Sequence, residues 1–187
     1  VAHAATLNGY ADSQAYWPLS VEGLLFKELI MSKDLTIKEK ATNYATMLHI
    51  REVGKAINKF VIALLDRGAK HDQSKLESPE VEIFTEYTER LAHLTYGSKE
   101  YNDCRAEMGE TLQHHYAKNA HHPEHYKNGI DDMNLLDLVE MFCDWSSAAK
   151  RHNDGNLRKS IEVNGDRFNM SPQLIKIFEN TVGFLEE

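Results

Sequence analysis

Residues 49–76 read HIREVGKAINKFVIALLDRGAKHDQSKL. Ile50, Val53, Ile57, Phe60, Val61 and Leu64 recur at helical intervals, the pattern of one apolar face. The spacing predicts a long helix over 36–67 with these residues in the core. Arg67-Gly68 then supplies a C-terminal stop signal. A histidine and an aspartate, His71–Asp72, follow the stop, and Ser74 and Lys75 come just after. His49 falls on the shoulder of the apolar face, about one turn before Val53. The doublet is either an accident of a polar loop or the centre of a metal site.

Helical spacing also dominates outside this stretch. Only four prolines and ten glycines punctuate the 187 residues, and β-branched alternation is scarce. Further helices are expected over 20–32, 79–96, 98–119, 133–153 and 171–184. Their starts carry capping signals: Ser20 before VEGLLF, Ser78-Pro79 with Glu80, Ser98, and Ser171-Pro172. The expected fold class is all-α. A single helical domain over 20–187 follows an N-terminal arm over 1–19, whose Tyr10, Tyr16 and Trp17 are available to pack on the body or on a second copy in a homo-oligomer.

Composition narrows the functional classes. The chain is 42% hydrophobic and 27% charged, with a formal charge of −8. That balance argues against general binding to nucleic acid or anionic membrane, because polyanions need a basic surface. No apolar run approaches the roughly 20 residues of a membrane span. The opening VAHAATLNGYADSQAYWPLS lacks the basic and then apolar blocks of a secretory signal. Two cysteines, Cys104 and Cys143, are too few for a disulfide framework. A cytoplasmic protein with reduced thiols is expected, in the host cytoplasm if a phage encodes it.

The ten histidines are unevenly spread, and five of them lie in HHYAKNAHHPEHY, residues 114–126. Met108, Leu112 and Tyr116 form an apolar stripe with His115 beside it, while His114 points elsewhere. Neutral imidazole and carboxylate together suit zinc, manganese, iron and similar ions. Downstream, GIDDMNLLDLVEMFCDWSSAAKRH places Asp137, Glu140 and Asp144 on one side of a helix. Like charges at that spacing repel. Either water solvates them or a cation sits among them.

In order along the chain, His49, His71–Asp72 and Asp144 form an H…HD…D set. That order resembles the HD-domain superfamily of metal-dependent phosphohydrolases. HDQSK is similar to the family's HDxGK variant with Ser74 in place of glycine, and DWSSAAKR is similar to its final aspartate segment. The likeness covers roughly residues 45–152. It implies an HD-like helical bundle with one or two divalent ions, Mn, Co, Mg, Zn or Fe, as cofactor. His49, His71, Asp72 and Asp144 would hold the first ion, with Asp137 competing for the last place. His115, His121 and His122 would hold a second, bridged by Asp72. The implied reaction is hydrolysis of a phosphoester through a metal-activated water. Asp72, Lys75 and Glu140 are the catalytic candidates: Lys75 would neutralise developing phosphate charge, and Glu140 or a histidine of the cluster would move protons. Lys75, Arg51, Lys118, Lys150–Arg151 and His125 are candidates for substrate binding. Tyr116, Tyr126 and Trp145 would stack on a base, or else pack in the core. A small-molecule nucleotide is the expected substrate.

The set HDQSKLESPE, YGSKEY, HHPEHYKNGI and MNLLDLVEMFCDW also resembles an uncharacterised family of small proteins from bacteriophages and bacteria. That likeness carries no activity of its own. Two rival functions therefore stand beside hydrolysis. One is a non-catalytic phage accessory protein with a structural metal site. The other is a di-iron HD-type oxygenase acting on a polyol.

Overall fold

The computed structural model describes residues 34–95, 97–150 and 155–186. The arm expected over 1–19, the helix expected over 20–32, and Arg151 lie outside the described residues. The chain divides into two compact units, 1–63 and 64–187. Among the described residues the fold is all-α: helices and turns, and no strand.

The first helix, α1, runs unbroken over Ile37–Lys70. It passes through Gly68, the expected stop, and ends two residues later. The terminator is Asp72, whose backbone is left-handed at φ 56° and ψ 16°. Aspartate tolerates this conformation better than most residues because its short polar side chain bonds locally. Asp72 leads into a 3₁₀ turn over Gln73–Leu76, with its carbonyl accepting from the Lys75 amide at 2.9 Å. The His–Asp doublet therefore sits where a helix reverses.

The apolar stripe of α1 is not core. Ile50, Val53, Ile57, Phe60 and Val61 keep between 42% and 55% of their surface exposed, and no residue of α1 is buried. Periodicity identifies residues that share a face, but it carries no information about what covers that face.

The core of the second unit lies among its last three helices, α5 over Leu135–Ala149, α6 over Leu157–Arg167 and α7 over Pro172–Glu186. Met141, Phe142 and Trp145 of α5 meet Leu157 and Ile161 of α6 and Phe178 and Val182 of α7. The Phe142 and Phe178 rings stack at 4.8 Å, and Trp145 meets Phe178 edge-on. No helix was expected over 157–167. Its signal is Asn156, whose side chain accepts from the Arg158 and Lys159 amides.

In chain order, α1 and these last three helices are separated by α2 over Glu80–Ala92, α3 over Lys99–Glu107 and α4 over Gly109–Lys118. A single helix was expected over 98–119. It breaks at Met108–Gly109, where Gly109 takes a φ of 54°, a value at which a side chain would be strained. Two short 3₁₀ turns, Pro123–His125 and Gly129–Asp132, carry the chain into α5. There Asn134 and Asp137 form a capping box.

Truncating the core should be far costlier than truncating the stripe. Ile161→Ala should lower unfolding free energy by about 2–5 kcal/mol. Ile57→Ala, half exposed, should cost under about 1 kcal/mol. Urea denaturation of the two variants beside wild type checks both.

Candidate metal centre

Asp72 stands between two groups of donors, all within the second unit. On one side, its Oδ1 lies 3.4 Å from His115 Nε2 and 3.5 Å from His121 Nε2. His122 completes that group, its Nε2 2.9 Å from His115 Nε2. On the other side, Asp72 Oδ2 lies 3.6 Å from His71 Nε2, which is itself 3.6 Å from Asp144 Oδ1. These nitrogen–oxygen separations are too long for good hydrogen bonds. They are near the roughly 3.0–3.5 Å that donors keep when each binds one ion at about 2.0–2.2 Å. Asp72 Oδ1 and His121 Nε2 are both buried with no hydrogen-bond partner. Orphaned polar atoms of this kind need an explanation, and a cation is the one that suits a carboxylate facing imidazoles. The residues present therefore fit a divalent ion on either side of Asp72.

Three of the rings are tethered from behind. Glu140 Oε1 lies 2.9 Å from His71 Nδ1 and 3.0 Å from His121 Nδ1, while Oε2 accepts from Arg67 at 3.0 Å. Burial alone would raise the Glu140 carboxyl, but hydrogen bonds from His121, His71 and Arg67 outweigh it and hold it well below the usual carboxylate range. An ionised carboxylate can only accept, so both Nδ1 atoms donate and both Nε2 atoms turn towards Asp72. Glu80 does the same on the other side. It is fully buried, 2.8 Å from both His114 Nδ1 and His115 Nδ1, and it accepts from the Ser74 hydroxyl at 2.9 Å. Against the effect of its burial, these bonds hold Glu80 below its ordinary value. Burial and the Lys75 charge push the His115 imidazole down, so it stays neutral with a bare Nε2. Burial and the neighbouring histidines push His122 down in the same way. His71 differs. The Asp144 and Glu140 carboxylates raise it to about 10, so without an ion a proton on Nε2 occupies the place between Asp72 and Asp144.

His71, His121 and Glu140 make a further possible donor group. Its contacts have N–H···O lengths, and Arg67 already neutralises the same carboxylate. We read it as the support of the site and not as a place for an ion.

The structure thus brings together His71, Asp72, Asp144, His115, His121 and His122. His49 does not join them. It is exposed in the first unit and belongs to none of the donor groups. Asp137 is resolved from Asp144: it is fully buried, 2.7 Å from Arg67, and accepts from the Tyr126 hydroxyl and the Asn134 amide. Tyr126 is thereby engaged with Asp137 and not offered to a ligand. Glu140, expected to move protons, has both oxygens committed and is a positioning residue. Arg51 is exposed beside Glu52, and Lys118 is exposed at the end of α4. His125 is exposed with Nδ1 donating to the Tyr116 carbonyl at 2.9 Å. None of these three lines the cavity beside the donors, whereas Lys75 does, its Nζ 2.6 Å from Asp72 Oδ2 and above the Phe84 ring. Sequence reading missed Glu80 and Arg67, because a first-turn glutamate and a last-turn arginine read as ordinary helix-end charges.

The fold and site define an all-α protein with a candidate histidine–carboxylate metal centre, and among the described residues no helix is long and apolar enough to cross a membrane. A family model described as "Family of unknown function (DUF5662)" matches residues 38–184, and the chain belongs to that family. No curated protein and no solved structure matches it.

Two outcomes follow for the metal-binding chemistry. At pH 7 His71 lies below its raised pKa of about 10 and holds the proton that an ion must replace. Zinc binding at this group should therefore release a proton, and affinity should rise with pH up to that value and fall on acidification. Calorimetry in buffers of different ionisation heat counts the proton. Glu80→Gln should weaken metal binding by about 10–100-fold through loss of the His115 tether. His93→Ala, an exposed ring just past the end of α2 and outside the donor groups, should stay near wild type by the same titration.

Proposed function

We propose that the protein is a divalent-metal-dependent phosphohydrolase acting on a nucleotide or related phosphoester. The observation that carries this reading is the two-sided Asp72 carboxylate, with imidazoles aimed at both of its oxygens. The ordered likeness of HDQSK and DWSSAAKR to HD phosphohydrolases supports it. So does the cavity that opens beside the donors and shares Lys75, His115, His122 and Asp144 with them.

His71, Asp72 and Asp144 would hold one ion, and Asp72, His115, His121 and His122 a second. A divalent ion bound there supplies Lewis acidity towards a phosphoryl oxygen and lowers the pKa of a coordinated water. The chain's own groups do the rest. Glu140 and Glu80 fix the imidazole tautomers and so keep Nε2 available. Lys75, now paired with Asp72, is placed to turn its ammonium towards a phosphate oxygen as negative charge develops, and a preorganised charge in a partly dry site stabilises a transition state more than it would in water. Phe84 and Trp145 form apolar walls of the cavity and limit the water that competes for the phosphoryl group.

The His71–Asp72–Asp144 side is partly exposed at all three residues. Structural metal sites are closed by protein donors, whereas catalytic ones keep a position open. That contrast favours catalysis over a purely structural knot.

A phosphate-release screen over nucleoside mono-, di- and triphosphates with Mn²⁺, Co²⁺, Mg²⁺ and Zn²⁺ tests the reading. Wild type should turn over at least one substrate. His71→Ala, Asp72→Ala and Asp144→Ala should each lose about 100-fold or more, and Asp137→Ala should not lose bound metal if it folds. Equal background in wild type and variants with all four ions would sink the proposal.

A further inference from the structure

The cavity beside the donors has a volume of about 170 Å³. Two of its lining residues, Arg105 and Arg167, belong to no motif. Both guanidinium groups turn to the same oxygen, Glu124 Oε1: Arg167 bonds to it, and Arg105 lies 4.0 Å away. Arg105 also donates to the Tyr116 hydroxyl at 2.6 Å. Tyr116 is buried, so it anchors that guanidinium against the body of α4. Arg167 lies over the Phe168 ring at 4.5 Å. Each guanidinium carries five N–H donors, and one shared carboxylate cannot saturate a pair of them.

Charge bookkeeping gives the pair a purpose. The lining carries the cations Lys75, Arg105 and Arg167 against one carboxylate, Asp144, while Asp72 and Glu124, outside the lining, pair with Lys75 and Arg167. Divalent ions at the donor groups would add positive charge beside it, although the whole chain carries −8. The remaining walls mix aliphatic side chains such as Leu91 and Met108 with the aromatic rings of Tyr101, Trp145 and Phe168. Cations beside aromatic faces suit a phosphate attached to a flat ring. The volume is below the roughly 300–1,000 Å³ of pockets that enclose drug-sized ligands, which favours one phosphate over a polyphosphate chain.

We propose that Arg105 and Arg167 form an anion-recognition pair for a compact phosphomonoester bearing a flat ring, the chemistry of a nucleoside monophosphate. Glu124 is the counter-ion that holds the pair in place before substrate arrives. The substrate class rests on the phosphohydrolase reading, but the binding of an anion by the pair is measurable without turnover.

The probe is phenyl phosphate, titrated by calorimetry into the full chain, metal-stripped and Mn²⁺-loaded. Arg167→Ala, at the cavity rim, and Arg105→Lys, which keeps the charge but loses the planar fork, should each weaken binding by roughly tenfold or more. Lys118→Ala should bind as wild type. Phenol should show no dependence on either arginine. Melting curves of Arg105→Lys identify any folding defect, and Arg167→Ala, whose side chain is 32% exposed, carries the test if that variant is unstable. Wild-type affinity in the arginine variants would overturn the proposal. The two readings fail separately. Turnover that needs His71 and Asp72 but whose KM ignores both arginines removes the pair and leaves the hydrolase. Arginine-dependent binding with no turnover in any of the four ions leaves the pair and removes the hydrolase.

Discussion

A buried carboxylate that accepts the Nδ1–H of an imidazole does two things at once. It gains a donor that offsets the several kcal/mol cost of burying its charge, and it leaves the far nitrogen of the ring as the only one that can face a ligand. Glu140 does this for His71 and His121, and Glu80 does it for His115. Removing either glutamate would leave rings free to rotate. Removing Arg67 would leave Asp137, which is fully buried, and Glu140 without their guanidinium. The Arg67 pairs tie the last turn of α1 to α5, and the Glu80–His115 pair ties α2 to α4.

Asp72 is where the two tethered sets meet. Its left-handed backbone ends α1 and aims the carboxylate inward, so that one oxygen faces His115 and His121 and the other faces His71 and Lys75. The two sides are unequal. The His115 and His121 side is buried, whereas His71 and Asp144 are partly exposed. A closed, histidine-rich side would hold an ion firmly, and an open, carboxylate-rich side would leave coordination positions for a ligand. Burial, rather than donor chemistry alone, would then divide the labour between them.

Much of this was legible in the sequence, but unevenly. The doublet and the crowded histidines of 114–126 could be picked out by the density of metal donors, whereas Asp144 was singled out from Asp137 and Glu140 only by the likeness of DWSSAAKR to the HD final aspartate segment. His49 carried no such signal: an H…HD order is short and fixes no distance between its members. Glu140 was found but given the wrong task, since a helical wheel shows that an acid faces inward and not what it touches. Glu80 was read as a capping signal at Ser78-Pro79, and nothing local reveals that α4 brings His114 and His115 onto it. The stripe of α1 is the same lesson in apolar form. Ile57 and Phe60 have the right spacing for core, and the structure leaves them about half exposed.

The charge of the whole chain and the charge of the cavity point in opposite directions, and distance decides which matters. At physiological ionic strength, exposed charges are screened beyond about 8 Å. The acidic surface therefore acts on an approaching phosphate only weakly and at close range. Inside the cavity, the low-dielectric walls of Phe84, Trp145 and Phe168 leave the fields of Lys75, Arg105, Arg167 and any bound ion much less screened. On the proposed reading, a dianionic ligand would be repelled little on approach and held strongly once seated. A net charge that argues against polyanion binding over the surface is thus compatible with the proposed selection of a small anion at one point, because the two effects operate at different depths in the same molecule.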